Sequence, residues 1–188
     1  MKKRVWVVGL ILALAMGLMA CGGKPTASDQ VKKDLDEFKS EDIEEEFEDV
    51  FGDNKELEEK YHDEYLKFVK KIQDLDYEIT DEDVKDDKAT VTVKITTYDF
   101  GKAYQKTYEK VIADASSGAI TAESDIESYV YETMFKNLNA VKDKDYTKEV
   151  KISCVKEDDG EWNTSIYDNK EVQDALMGGM ISAAMSVG

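Results

Sequence analysis

Ala89-Thr90-Val91-Thr92-Val93-Lys94-Ile95-Thr96-Thr97-Tyr98-Asp99 carries the clearest strand signal in this chain, and the architecture follows from it. Ala89, Val91, Val93, Ile95 and Thr97 alternate with Thr90, Thr92, Lys94, Thr96 and Tyr98. The run is rich in β-branched residues and strictly period two, which predicts a strand with one apolar face. Threonine and lysine fill the other face, so the sheet is wet or lightly covered on one side, as antiparallel sheets are. Just upstream, Leu75, Tyr77 and Ile79 alternate with Asp76, Glu78 and Thr80, giving a partner strand. The acidic stretch 81–87 between them reads as the connecting turn.

Outward from this hairpin the signals become helical. Asp99 is an N-cap for a long helix whose stripe is Phe100, Ala103, Tyr104, Thr107, Tyr108, Val111, Ile112 and Ala115. Ser116-Ser117-Gly118 ends it. A second helix is predicted over about 122–141, with Ile126, Tyr129, Val130, Thr133, Met134, Leu138 and Val141 on its stripe. Residues 147–156 and 161–167 read as a second hairpin about the turn Asp158-Asp159-Gly160. A last helix starts near Asn169 and carries Val172, Leu176 and Met180, and the tail beyond is small and apolar. Packed, that tail would close one end of the sheet; exposed, it would offer an apolar patch. On the N-terminal side, 29–51 is acidic with apolar residues three to five apart, fitting two short helices or one bent at Ser40. Phe51-Gly52-Asp53-Asn54 is a stop and a new N-cap before a helix over 55–73, lined by Leu57, Tyr61, Tyr65, Phe68 and Ile72. No repeat of 20–50 residues stands out. Strand pairs set apart from helices predict the α+β class, with a curved antiparallel sheet packed on helices.

The first 20 residues form a unit of their own. Met1-Lys2-Lys3-Arg4 is basic, 5–14 is almost unbroken apolar sequence, and 15–20 is small and flexible. This is the layout of a secretory signal. The competing reading, a transmembrane helix, suffers from length: the apolar run 5–20 is 16 residues, and a bilayer core needs roughly 20. Leu18-Met19-Ala20-Cys21 resembles the lipobox of bacterial lipoproteins. The resemblance implies cleavage between Ala20 and Cys21, a diacylglyceryl group on the Cys21 thiol with palmitate-type acyl chains, and residence on the outer face of the cytoplasmic membrane. Two acyl chains suffice for stable anchoring, at about 0.8 kcal/mol per buried methylene. The division expected is a signal peptide over 1–20, a lipidated N-terminus and flexible tether over 21–28, and a single ectodomain over 29–188.

Composition narrows the function. Removing 1–20 takes Lys2, Lys3 and Arg4 from the 25 basic residues and none of the 42 acidic ones, so the remaining 168 residues carry a formal charge of −20. That length suits one domain with a real core. The charge argues against nucleic acid and against adhesion to anionic headgroups. Lipid on Cys21 leaves Cys154 alone, and its place in the alternation Val150, Ile152, Cys154 reads as a small core hydrophobe.

A search for chemistry returns little. His62 lies off the apolar stripe of its helix, and a single histidine cannot build a histidine-rich zinc site. The carboxylates of 81–87 lack EF-hand spacing and a supporting glycine, so a solvated turn is preferred to a calcium site. No nucleophile elbow, phosphate loop or dinucleotide fingerprint is present. No cofactor, metal or catalytic residue is therefore expected. Tyr104, Tyr108, Tyr129 and Trp162 are the candidate ligand-pocket residues, weighed against ordinary core.

Asp76-Tyr77-Glu78-Ile79, the strand 89–98, the helix pair, Gly160-Glu161-Trp162 and the run 171–179 are similar to small lipoproteins of Gram-positive gut bacteria. Their domains resemble the nuclear transport factor 2-like (cystatin-like) cone, in which a curved antiparallel sheet wraps around helices. The resemblance implies a binding or interaction module that presents a cone-shaped domain to a small ligand or an envelope protein. Two rival expectations are an accessory structural envelope protein without a pocket, and a small acid–base enzyme using Asp76 or Asp99 beside a tyrosine.

Overall fold

Caps and alternation place the elements of the computed structural model, which describes residues 25–40, 55–121 and 125–187. In chain order these are α1 (Ala27–Ser40), α2 (Lys55–Gln73), β1 (Asp76–Lys85), β2 (Lys88–Thr97), α3 (Phe100–Ser116), α4 (Ile126–Ala140), β3 (Tyr146–Lys156), β4 (Trp162–Thr164), α5 (Lys170–Leu176) and α6 (Met180–Val187). The four strands form one antiparallel sheet in the order β1-β2-β3-β4. The class is α+β.

Register explains the sheet core. Ala89 lies opposite Cys154, Val91 opposite Ile152 and Val93 opposite Val150. All six are buried, as are Ile95 and Thr97. Their apolar face is covered by Ala27, Val31 and Leu35 of α1, spaced one turn apart, and by Val172, Ala175 and Leu176 of α5. Each fully buried aliphatic side chain contributes about 1.5–3 kcal/mol. The opposite face stays polar.

A second core is purely helical. Leu57, Tyr61, Tyr65, Phe68 and Ile72 of α2 meet Phe100 and Ala103 of α3 and Phe135 and Leu138 of α4. Phe68 stands edge-on to Phe100 at 5.1 Å, and Tyr65 edge-on to Phe135 at 6.4 Å. Phe38, near the end of α1, packs against both cores and links them. The helical core thus sits past one end of the sheet, where β2 runs through Tyr98 and Asp99 into α3.

Several elements differ from the sequence reading, each for a physical reason. The acidic stretch 81–87 is mostly strand: β1 continues to Lys85 after a bulge between Ile79 and Asp81, and the turn is Asp86-Asp87 with Asp86 at φ 56°. A turn over 81–87 would leave the backbone of β2 unpaired on that side. Carboxylates on an edge strand face water and deter edge-to-edge pairing. The strand expected over 161–167 is only three residues long, because the chain enters a turn over 166–168 in which Asn169 N donates to Ser165 O at 3.0 Å. Helix α4 shows a rotated face: Ile126 is exposed and Phe135 buried, since Tyr61 and Tyr65 receive the Phe135 ring. The C-terminal helix does not continue to Met180. It stops at Leu176, Gly178 and Gly179 take positive φ, and Gly179 N donates to Asp174 O at 2.8 Å, a helix-ending turn. The tail beyond forms α6, which packs on α3 rather than on the sheet.

The N-terminal boundary also moves. Thr26 and Asp29 cap α1 reciprocally, with Thr26 N donating to Asp29 Oδ2 at 2.9 Å and Asp29 N to Thr26 Oγ1 at 3.1 Å. Ala27 is fully buried, inside the segment expected to be tether. The leader, Cys21, the segment 41–54 and the first residues of the 122–141 helix lie outside the described residues.

Candidate functional site

A polar constellation around the buried Asp174 lies where α3 begins, β3 begins and α5 gives way to α6. A backbone contact builds it. Gly101 N donates to Gly178 O at 2.9 Å, drawing the α5–α6 junction onto the first turn of α3. A Cβ on Gly178 would stand 2.0 Å from Tyr98 O, so only glycine permits the approach. The result is an open groove of about 540 Å³ whose walls include Asp99, Lys102, Tyr146, Lys148, Asp174 and Ser182.

Asp174 organises this groove. Its side chain is only 6% exposed, and both oxygens are satisfied. Oδ1 accepts Ser182 N at 2.8 Å; Oδ2 accepts Ser182 Oγ at 2.8 Å and Lys148 Nζ at 3.2 Å. Burial pushes its pKa upward, but the bonds from Ser182 and Lys148 outweigh that and hold it below the ordinary carboxylate value. Burial, helped by the charges of Asp174 and Asp99, raises the Tyr146 hydroxyl to about 12. Asp99 caps α3 by accepting Lys102 N at 2.9 Å and pairs with Lys102 Nζ at 2.6 Å, which raises the lysine. Asp174 is shifted down and Tyr146 and Lys102 up, so that carboxylate stays ionised and that phenol and ammonium stay protonated. The groove can donate and accept hydrogen bonds with fixed polarity.

A second cluster braces the junction of the two cores. Tyr98 donates to Asp74 Oδ2 at 2.7 Å, and Lys144 bridges Asp74 at 2.7 Å and Asp76 at 3.2 Å. Bonds from Lys144 and Tyr98 lower the Asp74 pKa. Lys71 and Lys144 stand over the Tyr98 ring at 5.2 and 5.9 Å. Lys71 also donates to the carbonyls of Asn139 and Val141, satisfying the end of α4, and burial lowers its pKa. This arrangement is a strap: every charge in it has a structural partner.

Of the four aromatic pocket candidates, Trp162 lies in the sheet core, apart from the packed helix pair that carries the other three. It donates Nε1 to Pro25 O at 3.2 Å and lies under Lys156 Nζ at 5.4 Å. Tyr104 and Tyr108 are on α3, with Tyr108 40% exposed. Tyr129 of α4 donates to Asp114, which also pairs with Lys110 at 2.7 Å. None of the four lines the groove. Asp76 is an exposed partner of Lys144, and Asp99 is an N-cap. His62 is exposed, 3.9 Å from Asp63. Cys154 is buried, and burial raises its thiol to about 11. Ala20 and Cys21 are outside the described residues.

No family model and no curated protein matches this chain. Among solved structures it is similar to a Bacillus subtilis protein, YcdA, named a "putative lipoprotein". The match has a TM-score of 0.46 and 13% identity, and covers 90% of this chain and 54% of that one. This chain therefore spans about half the length of that protein. A likeness of this degree assigns neither family nor activity. Among the described residues, no helix is long and apolar enough to cross a membrane, and no group of three or more His, Cys, Asp or Glu is placed to hold a metal.

Asp174, Lys148, Ser182 and Tyr146 were not singled out by sequence. Two signals mark the place. Asp174 is a carboxylate among Val172, Ala175 and Leu176 on a short helix, and a buried acid needs partners. Gly178-Gly179 directly follows, where a helix would otherwise continue.

Proposed function

We propose that this chain is a lipid-anchored binding or interaction module on the outer face of a bacterial cytoplasmic membrane. One observation carries the reading: Leu18-Met19-Ala20-Cys21 closes a basic-then-apolar leader, and the fold begins only four residues later. There Pro25 O accepts Trp162 Nε1 and Thr26 caps α1, so the domain is tied off close to the anchoring position. The membrane is the first partner, through lipid on Cys21. The second is a small molecule or an envelope protein, for which the Asp174 groove is the candidate seat. A groove of fixed charges and protonated phenol favours recognition over proton transfer. The formal charge of −20 disfavours nucleic acid. The likeness to the nuclear transport factor 2-like or cystatin-like cone belongs to this proposal too. In its favour are α1 laid along one face of a four-stranded antiparallel sheet, an open opposite face, and a bulge that bends β1.

The test compares the wild-type chain with Cys21→Ala in a Gram-positive host. The wild type should fractionate with membranes and be shaved from intact protoplasts by added protease. Cys21→Ala should lose its lipid and accumulate unprocessed. Cys21→Ala processed and retained like the wild type defeats the reading.

A further inference from the structure

If Cys21 is the anchor, the fold dictates which end of the domain meets the bilayer. Cys21 and Pro25 are four residues apart, a covalent reach of at most about 14 Å. Pro25 is fixed by Trp162, and Ser28 N donates to Glu82 Oε1 at 3.2 Å. Trp162 pairs with Lys156, whose N donates to Asp87 O at 2.8 Å. The anchor therefore enters at the end of the sheet that carries the β1–β2 and β3–β4 turns. The groove is at the other end, because Tyr146 of its wall lies opposite Thr97, the last residue of β2. The ten residues of β2 separate the two ends by roughly 30 Å.

Charge opposes adhesion at this end. The segments 81–87 and 157–161 are dominated by carboxylates, and these turns flank the point of entry. An anionic leaflet repels them, so the short covalent tether, not contact between the turns and headgroups, keeps this end nearest the bilayer.

We infer, resting on the lipoprotein reading, that the domain stands on its turn end and holds the Asp174 groove away from the membrane. The occupant of the groove is then a solute or envelope partner arriving from the water side, not a headgroup of the anchoring bilayer.

The processed chain has a built-in probe. Its leader takes Trp6, leaving Trp162 as the remaining tryptophan, beside the anchor. Energy transfer from Trp162 to dansyl headgroups in anionic vesicles is compared with transfer from Lys102→Trp in a Trp162→Phe background. Lys102 lies on the groove wall with an exposed side chain, so a tryptophan there meets no packed neighbour and loses only the surface pair with Asp99. Transfer from position 102 should be at least about fivefold weaker, given a separation of roughly 30 Å. Equal transfer, or stronger transfer from 102, overturns the orientation. Should the Trp162→Phe background fail to fold, a dansyl acceptor is placed instead at Lys102→Cys, and transfer from Trp162 to it must be weaker than transfer to the headgroups.

The anchor is read separately. Mass spectrometry of the N-terminal peptide shows whether Cys21 carries lipid. If it does, the protein is reconstituted as purified. If it does not, the lipoprotein reading fails, and Trp6→Phe chains are coupled to a maleimide lipid through Cys21, Cys154 being buried with its thiol raised to about 11. The tryptophan probes then still decide the orientation.

Discussion

Replacing Gly178 with alanine should cost this protein far more than an ordinary glycine substitution. Gly178 has φ 55°, and a Cβ there would sit 2.0 Å from Tyr98 O and 3.1 Å from Phe100 N, both backbone atoms. Nothing flexible can give way. Left-handed backbone alone costs a non-glycine residue roughly 1–2 kcal/mol. The α5–α6 junction must also retreat from α3, breaking the bond from Gly101 N to Gly178 O. Leaving those groups unpaired costs roughly 1–3 kcal/mol. The expected loss is therefore roughly 2–5 kcal/mol, a large part of a typical domain's stability. Gly118→Ala is the internal control: it has φ 77° and nothing within 4 Å of the added carbon, so only the backbone cost of roughly 1–2 kcal/mol applies. Urea unfolding followed by Trp162 fluorescence measures both. Gly178→Ala should shift the midpoint at least about twice as far as Gly118→Ala. Equal midpoints would refute the close-packed junction, and with it the construction of the groove.

Other consequences can be measured directly. Asp99→Ala removes the cap of α3 and should destabilise by about 1 kcal/mol, with Asp99→Ser recovering most of it; indistinguishable melting of all three proteins would count against the cap. Because the folded Asp174 carboxyl is held below its ordinary value, its stabilisation is present above the ordinary carboxylate pKa and disappears as pH falls through the lower folded value. Asp174→Asn should therefore flatten the acid limb of the melting temperature against pH, and a profile parallel to wild type contradicts the assignment. Cys154 is buried with its thiol raised to about 11, so the lipidated native protein should resist thiol reagents at about pH 7.5 and react only in denaturant. Rapid labelling of the native form would place Cys154 at the surface.

Local periodicity made the sheet legible. Ala89, Val91, Val93, Ile95 and Thr97 face the core as their alternation predicts, and the helix over 55–73 has the bounds its stripe implies. Caps were legible too, since Asp99 and Asn169 each bond the first turn of a helix. What escaped is set by tertiary neighbours. Phe135 faces inward because α2 supplies Tyr61 and Tyr65, a fact absent from the periodicity of α4 itself. The stripe of α3 is covered only as far as Thr107; Ile112, one turn beyond Tyr108, is 50% exposed because no described element packs on it. The acidic stretch 81–85 is strand because β2 needs a partner, whatever the local propensity. The groove was hardest to foresee: Asp174 lies 26 residues beyond Lys148 and meets it and Tyr146 only in the folded chain, where α5 packs on β3 and the α5–α6 junction closes on α3.

The central claim is that Cys21 is the lipid-bearing first residue of the mature protein, four residues ahead of a domain secured at Pro25. The mass of the N-terminal proteolytic peptide, from protein extracted from the membranes of a Gram-positive host, tests it most directly. The account predicts a peptide that begins at Cys21 and carries a diacylglyceryl adduct. A peptide that begins at Met1, or one that contains Cys21 as an unmodified thiol, would contradict it.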